Sequence, residues 1–169
     1  MKFSAEIVKS TVFDEIKTFL DKEGFEVANM DDQRPWGGFY VIKEDQALQF
    51  IDRFFPEQNR EEFEGFPVLS PKILIVEPEK RLSWQYHHRR AEIWKVIGGT
   101  AGVVISETDE QTPVKTLEMN DVVKLVQGQR HRLVGTDEWG IIAEIWKHTD
   151  KENPSDEEDI VRVEDDFGR

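Results

Sequence analysis

The sequence predicts an all-β core, an antiparallel sandwich or barrel, preceded by short helices. From residue 71 onward, short apolar runs recur and turn-forming pairs such as Gly98-Gly99 and Asn120-Asp121 separate them. Many short strands at this spacing are typical of a β-sandwich or barrel. No helical segment alternates with these strands, which argues against a doubly wound α/β sheet. The runs cover residues 73–76, 93–97, 103–105, 122–126 and 141–146.

The N-terminal part carries the helical signals. Phe13, Ile16 and Leu20 recur at helical spacing, and Gly24 follows as a helix-ending residue. A second short helix is predicted over residues 45–55, where apolar residues line one face before a proline. The sequence therefore predicts two short helices ahead of the β core.

The length of the chain, 169 residues, suits a single domain. No internal repeat or low-complexity linker marks a domain boundary. We expect a helical extension over about residues 1–30, a barrel over about residues 34–148 and an acidic C-terminal tail over about residues 149–169. The tail is expected to be partly extended or mobile, with four apolar residues that can dock it. These are Ile160, Val161, Val163 and Phe167.

Composition narrows the classes of partner. With 22 Lys and Arg against 35 Asp and Glu, the net charge is −13, which repels nucleic-acid phosphates. The sequence has no cysteine, so disulfides, thiolate ligands and cysteine nucleophiles are excluded. It has no run of eighteen apolar residues and no apolar signal segment near Met1. We expect a cytoplasmic protein that binds neither nucleic acid nor a membrane and forms a homodimer, the commonest assembly.

Four residues have the types and spacing of a metal site. Gln85 and His87 are two apart, so both side chains of a strand would point to one face. A tight turn through residues 88–91 would bring Glu92 beside His87 on the partner strand. His131 follows a glycine turn and would open another strand. We predict that these four side chains converge inside the barrel.

This donor set suits one divalent ion per chain. Two imidazole nitrogens, a carboxylate and an amide oxygen fit Zn²⁺, Mn²⁺, Fe²⁺, Co²⁺ or Ni²⁺, with Zn²⁺ as the first expectation. Any one histidine, taken alone, is more often a surface or hydrogen-bonding residue than a ligand. The metal hypothesis depends on all four residues together, because a barrel gives them a reason to meet.

The same residues carry a resemblance to the cupins. Cupin motifs read, in outline, H-x-H, a spacer and E, then P-x-G-x-x-H. Gln85 stands in the first histidine position, and His87 and Glu92 follow. Gly128 keeps the glycine of the second motif, and His131 its histidine. The resemblance implies a cupin-type antiparallel β-barrel, a double-stranded β-helix or jelly roll, with these residues as metal ligands.

Within the cupins, the chain resembles the C-terminal domain of type II mannose-6-phosphate isomerases, here without the guanylyltransferase domain often fused to it. That family has L-S-L-Q-x-H-H-H-R-A-E-H-W, and residues 82–94 read L-S-W-Q-Y-H-H-R-R-A-E-I-W. Residues 34–37 give the family's R-P-W-G, and residues 131–133 its H-R-L. Residues 159–169 match its ending, D-I-V-R-x-E-D-x-x-G-R. The resemblance covers residues 34–169, with weak stretches.

The resemblance implies an isomerase that interconverts mannose 6-phosphate and fructose 6-phosphate by proton transfer through an enediolate. Arg90 is the first candidate for binding the substrate phosphate and for catalysis. Arg132 is the second candidate, because successive side chains of a strand point to opposite faces and that of Arg132 would point away from His131. Lys124 and Glu144 are candidates for the general base. The alternatives are a non-catalytic sugar-binding cupin, or another sugar-phosphate enzyme such as an epimerase.

Overall fold

The computed structural model describes residues 1–168. Two α-helices lie where the sequence predicts them, α1 over Lys9–Lys22 and α2 over Ala47–Phe54. Short 3-10 turns occupy Glu44–Gln46 and Arg60–Glu62. Gly24 follows α1 with a φ of +81°, a left-handed conformation that glycine adopts without strain. Among the described residues, no helix is both long and apolar enough to cross a membrane.

Eleven described strands form two antiparallel sheets. The six-stranded sheet has the order β1-β2-β3-β10-β5-β8, and the five-stranded sheet has the order β11-β4-β9-β6-β7. The strands are β1 (Val27–Arg34), β2 (Gly37–Ile42), β3 (Lys72–Val76), β4 (Trp84–Tyr86), β5 (Arg90–Gly98), β6 (Ala101–Ser106), β7 (Lys115–Leu117), β8 (Val122–Leu125), β9 (Arg130–Gly135), β10 (Gly140–His148) and β11 (Val161–Glu164).

The predicted all-β core is confirmed, with one correction to its shape. A strand lies at each predicted apolar run, and neighbouring strands pair antiparallel. Hydrogen bonding between the described strands gives two separate sheets and not one closed barrel. The sheets also extend beyond the predicted limits, because β1 begins at Val27 and β11 lies in the C-terminal segment. The fold is therefore a jelly-roll sandwich with an open edge.

Two apolar cores lie on the two faces of the six-stranded sheet. The inner core, between the sheets, joins residues such as Trp94 and Ile142 to Leu133 of the five-stranded sheet. The outer core joins the helices to the opposite face of the six-stranded sheet, where residues such as Ile93 lie. Alternation along β5 thus sends Ile93 outward and Trp94 inward. The inner face is the one that carries the candidate site.

The C-terminal segment is docked against the five-stranded sheet. Strand β11 pairs with β4, and Arg162 lies opposite Gln85. Phe167 packs against the inner core, whereas Val163 is exposed. Asp159, just before the strand, is buried. The expected extended tail is therefore part of the sheet structure and lies beside one of the predicted metal ligands.

Gly37, at the start of β2, occupies a position that excludes a side chain. Its φ is +138°, and a Cβ atom there would lie 1.9 Å from the carbonyl oxygen of Ile75. We expect Gly37→Ala to lower the free energy of unfolding by at least about 2 kcal/mol. The matched control is Gly65→Ala, since Gly65 has a φ of +87° but nothing within 4 Å of the added atom. Denaturant unfolding measures the free energy of unfolding of both variants. Equal losses in the two would contradict the prediction, because they would show that the backbone moves to relieve the clash at residue 37.

Candidate metal centre

The four predicted ligands come from both sheets. Gln85 on β4 pairs directly with His131 on β9, so their side chains share one face of the five-stranded sheet. His87 follows β4 immediately. Glu92 comes from β5 in the facing sheet. The predicted tight turn between paired strands is wrong, because β4 pairs with β9 and β11, whereas β5 pairs with β8 and β10. The chain crosses between sheets at this point, and Glu92 meets His87 across the sandwich.

Three of these side chains form a tight buried cluster. Nε2 of His87 lies 3.0 Å from Oε1 of Glu92, and Nε2 of His131 lies 3.5 Å from Oε2 of Glu92. Each side chain is at most 3% exposed. One potential ligand atom from each residue lies within 4.8 Å of the others, so this buried group could bind a metal ion.

Unpaired atoms in the cluster test directly whether these three residues fit a metal ion. Nε2 of His87, Nε2 of His131 and Oε2 of Glu92 are buried, with no hydrogen-bond partner among the described residues. Buried polar atoms are normally satisfied, and three orphaned ones that converge require an explanation. Two imidazole nitrogens and a carboxylate oxygen are ordinary ligands of a divalent ion. The donor set therefore fits the expected metal.

Both histidines are oriented by backbone carbonyls. Nδ1 of His87 lies 2.7 Å from the carbonyl oxygen of Asp159, and Nδ1 of His131 lies 3.1 Å from that of Gln129. A carbonyl oxygen requires the proton on Nδ1, which leaves the lone pair of a neutral imidazole on Nε2. Such outer contacts fix the ring orientation of metal-binding histidines. The two Nε2 atoms therefore face Glu92, and in the neutral imidazole each carries the lone pair that a metal ion would bind.

Gln85 lies at the edge of this arrangement. Its side chain is half-buried and lines the same cavity as His87 and Glu92. Its Oε1 accepts a hydrogen bond of 2.7 Å from Oγ of Ser83, a contact that orients the amide. An amide oxygen can bind a hard or borderline cation while it also accepts a hydrogen bond. Its role as the fourth ligand stays a prediction.

Two buried carboxyl groups in the cavity have opposite pKa shifts. Burial alone would raise the pKa of Glu92, but His87, His131 and Arg90 hold it well below its usual range. For Glu144, burial and then the negative charge of Glu92 raise the pKa to about 8. Glu92 is therefore an anion suited to bind a cation, whereas Glu144 can bind and release a proton near neutral pH.

The structure corrects the expected role of Arg90. Arg90 opens β5 and is buried, with Nε and Nη2 at 3.1 Å and 3.0 Å from Oε1 of Glu92. Its Nη1 donates to Oγ of Ser155 and to the carbonyl oxygen of Asp156, both at 2.9 Å. The guanidinium also lies 3.8 Å from the ring centre of Trp146. Arg90 is therefore not an arginine free to swing over the cavity mouth; it holds Glu92 in place.

This placement predicts a stability effect. Arg90→Met removes the guanidinium that contacts the buried carboxylate of Glu92 through Nε and Nη2. Loss of one member of a buried ion pair costs about 3–5 kcal/mol. We expect that loss in the free energy of unfolding of the metal-free protein, measured in denaturant. Arg89→Met is the control, because Arg89 contacts the same C-terminal segment but bonds Asn153 and Asp156. Equally small losses in the two variants would contradict the role given to Arg90.

Arg132 and Lys124 lie away from the cavity, which corrects both predictions. Arg132 is buried, and its Nε donates to the carbonyl oxygen of Leu82 at 2.8 Å. It is not among the described residues that line the cavity. Lys124 pairs with Ile93, whose side chain belongs to the outer core, and Lys124 is exposed. Neither side chain faces the metal cluster.

The cavity has a cationic wall that the sequence prediction missed. Lys72 on β3 lies opposite Glu144 and shares its face of the sheet. Alternation with the apolar residues Leu74 and Val76 could have shown that Lys72 points inward. Arg34, at the end of β1, also lines the cavity. Glu144, by contrast, is one of the two base candidates, and it lines the cavity.

Comparison with known proteins identifies the family. Residues 61–165 match the family described as Mannose-6-phosphate isomerase C-terminal. The chain belongs to this family. It is 36% identical over 98 residues to the mannose-1-phosphate guanylyltransferase ManC of Salmonella typhimurium, covering 58% of this chain and 19% of that protein. It is 31% identical over 136 residues to the xanthan biosynthesis protein XanB of Xanthomonas campestris, covering 80% of this chain. The aligned part is 23% of XanB, so this member of the family spans only a fraction of these relatives.

Solved structures support the fold of this isomerase-family domain. The capsular polysaccharide assembling protein CapF of Staphylococcus aureus is similar, with a TM-score of 0.53 at 13% identity, covering 80% of this chain and 34% of that one. Vicilin from Solanum lycopersicum gives a TM-score of 0.53 at 15% identity, covering 95% of this chain and 35% of that one. At these identities the likeness concerns the fold alone, which is of the cupin type.

Proposed function

We propose that this domain is a metal-dependent sugar-phosphate isomerase that interconverts mannose 6-phosphate and fructose 6-phosphate. Its membership of the Mannose-6-phosphate isomerase C-terminal family supports this choice of substrate. The observation that carries the proposal is a pair of buried carboxyl groups in one cavity. Glu92 is kept ionised among the histidines, and Glu144 is kept protonatable beside it. Isomerisation needs both a cation site and a group that exchanges protons.

In this proposal His87, Glu92 and His131 hold the ion, with Gln85 as the fourth ligand. A bound divalent ion would polarise the carbonyl and hydroxyl oxygens of the sugar. The mixture of nitrogen and oxygen donors suits several such ions, and Zn²⁺ stays the predicted one. The buried position of the cluster excludes bulk water, which strengthens electrostatic interactions in the cavity.

Glu144 is the proposed proton carrier. Its Oε2 accepts a hydrogen bond of 2.8 Å from Nε1 of Trp94, which fixes the carboxyl group. The ring of Trp94 in turn lies edge-on to His131, with ring centres 5.5 Å apart. Removal of the proton at C2 of the open-chain aldose by Glu144 gives an enediolate of the sugar; the hydroxyl proton then moves from O2 to O1, and return of the first proton to C1 gives the ketose. No atom or electron is gained or lost overall, and a pKa near the working pH suits transfer in both directions.

The test uses metal-loaded protein with mannose 6-phosphate or fructose 6-phosphate in deuterated water, followed by NMR. We expect interconversion of the two sugars, with deuterium incorporated at C1 or C2 from solvent. Binding without interconversion would contradict the proposal and support the alternative of a non-catalytic sugar-binding cupin. Inversion at C2 without ketose formation would contradict it in favour of an epimerase. Cytoplasmic location and dimerisation stay predictions from the sequence.

A further inference from the structure

We propose that the phosphoryl group of the substrate binds between Lys72 and Arg34, at the end of the cavity next to Phe39. This inference rests on the proposed function, in which the substrate is a sugar phosphate. Lys72 and Arg34 replace Arg90 and Arg132 as candidates for binding the phosphate, because the donors of Arg90 and Arg132 are already bonded to protein groups. The acidic chain, with a net charge of −13, requires a local cationic site to bind such an anion.

Lys72 is placed as an anchor inside the cavity. It lies on the inner face of β3, in register with Glu144, and its side chain is only 14% exposed. Its Nζ lies 5.4 Å from the ring centre of Trp146 and 5.8 Å from that of Phe39. These aromatic rings guide the ammonium group towards the cavity and shield it from solvent.

The anionic partner of Lys72 is readily exchanged. Its Nζ lies 3.2 Å from Oε1 of Glu157, whose side chain is 70% exposed. Exposed ion pairs contribute little stability, so a phosphoryl dianion can displace this carboxylate. Arg90 differs, because its guanidinium is buried against Glu92 and makes three further contacts. Lys72 is therefore a partly buried cation whose carboxylate partner a ligand can displace.

Arg34 and Trp36 each add, at the same end, an N–H group without a hydrogen-bond partner among the described residues. The guanidinium carbon of Arg34 lies 5.6 Å from the ring centre of Phe39, the ring that Lys72 also approaches. Nε of Arg34 lies 2.8 Å from Oδ2 of Asp31 but not in hydrogen-bond geometry. Nε1 of Trp36, a residue 3% exposed, likewise has no hydrogen-bond partner among the described residues. Nε of Arg34 and Nε1 of Trp36 therefore add two buried N–H groups to the ammonium group of Lys72, and such donors bind phosphate oxygens.

The distance from this site to the metal cluster suits a hexose phosphate. Lys72, Glu144 and Trp94 lie side by side on β3, β10 and β5. Two strand spacings, about 10 Å, therefore separate the anchor from the strand that carries Glu92. An open-chain hexose phosphate spans such a gap with its phosphate at one end and C1 and C2 at the other. Glu144 lies on β10, between the anchor and β5, and β10 is the strand next to the one that would hold C1 and C2.

Titration calorimetry with mannose 6-phosphate, inorganic phosphate and neutral mannose tests this assignment on the metal-loaded protein. We expect Lys72→Met to weaken binding of both phosphate compounds by at least about tenfold, without a change for mannose. Glu157→Gln removes the competing carboxylate and should tighten phosphate binding by about two- to fivefold. Lys147→Met is the control, because Lys147 pairs with Glu62 outside the cavity. We expect no change for that variant.

The outcomes separate this inference from the proposed function. Unchanged phosphate affinity in Lys72→Met would overturn the inference even if the protein interconverts the sugars. Phosphate binding that depends on Lys72, in a protein that does not interconvert them, would support the inference and contradict the isomerase. If Lys72→Met does not fold, Glu157→Gln decides, because its exposed side chain can be replaced safely. Tighter binding then supports the site, and unchanged or weaker binding overturns it.

Discussion

Replacement of either histidine in the cluster is expected to abolish stable metal binding. His87→Ala and His131→Ala each remove one of the nitrogen atoms that converge on Glu92. Loss of an outer contact to a metal ligand already costs about 10- to 100-fold in affinity, so loss of a ligand should cost about 100-fold or more. Elemental analysis of purified protein and competition with a chelator measure the effect. We expect about one divalent ion per wild-type chain.

The matched control for these variants is His88→Ala. His88 is exposed and contacts the ring of Tyr86 edge-on, next to the cluster in sequence but outside it. His148 is a poorer control, because it is buried and its Nδ1 accepts a hydrogen bond from the backbone of Ser155. Wild-type metal content in both cluster variants, or equal losses in all three, would disprove the assigned ligands.

Replacement of Glu144 is expected to stop turnover while the metal stays bound. Glu144→Gln keeps the size of the side chain and the acceptor for Nε1 of Trp94, but it cannot carry a proton. Loss of a general acid–base group lowers the rate by about 10²–10⁴-fold. The measurement is the rate of sugar interconversion, taken together with the metal content of the same sample.

A second carboxyl variant provides the comparison. Glu138→Gln changes a largely buried glutamate that pairs with Lys2, outside the cavity. We expect its turnover to match that of the wild type. Near-normal turnover in Glu144→Gln would rule out this residue as the proton carrier and leave the isomerase without a base among the groups considered. A fall in metal content with turnover would show a structural effect instead.

Local sequence pattern predicted the secondary structure and the members of the cluster well. Apolar runs mark the buried strands because each must fill a layer of the core, as Ile73 and Ile75 do in β3. His87, Glu92 and His131 were predicted from residue type and spacing, and the structure brings them together. The predicted tight turn between His87 and Glu92 was wrong, because spacing along a chain does not reveal which sheet the next strand joins. The turn after His87 leads across the sandwich, not along one sheet.

Side-chain direction was the harder part to predict. Lys124 and Leu125 are adjacent, yet Leu125 lies opposite Glu92 and Lys124 lies opposite Ile93. A shift of one residue in register exchanges their faces, and the sequence does not contain that register. The role of Arg90 depended on contacts with the distant C-terminal segment, which no local pattern reveals. Long-range pairing therefore decides which polar residues face the cavity.

The contact between the carbonyl oxygen of Asp159 and Nδ1 of His87 has a consequence for the order of assembly. The side chain of Asp159 also accepts hydrogen bonds from the backbone of His88 and Arg89. A nascent chain that has emerged only as far as β10 holds all four predicted ligands but lacks this clamp. His87 then has neither its fixed proton position nor its fixed ring orientation. The centre therefore reaches its final geometry only after Asp159 has been synthesised, when the helices and the first ten strands are already present.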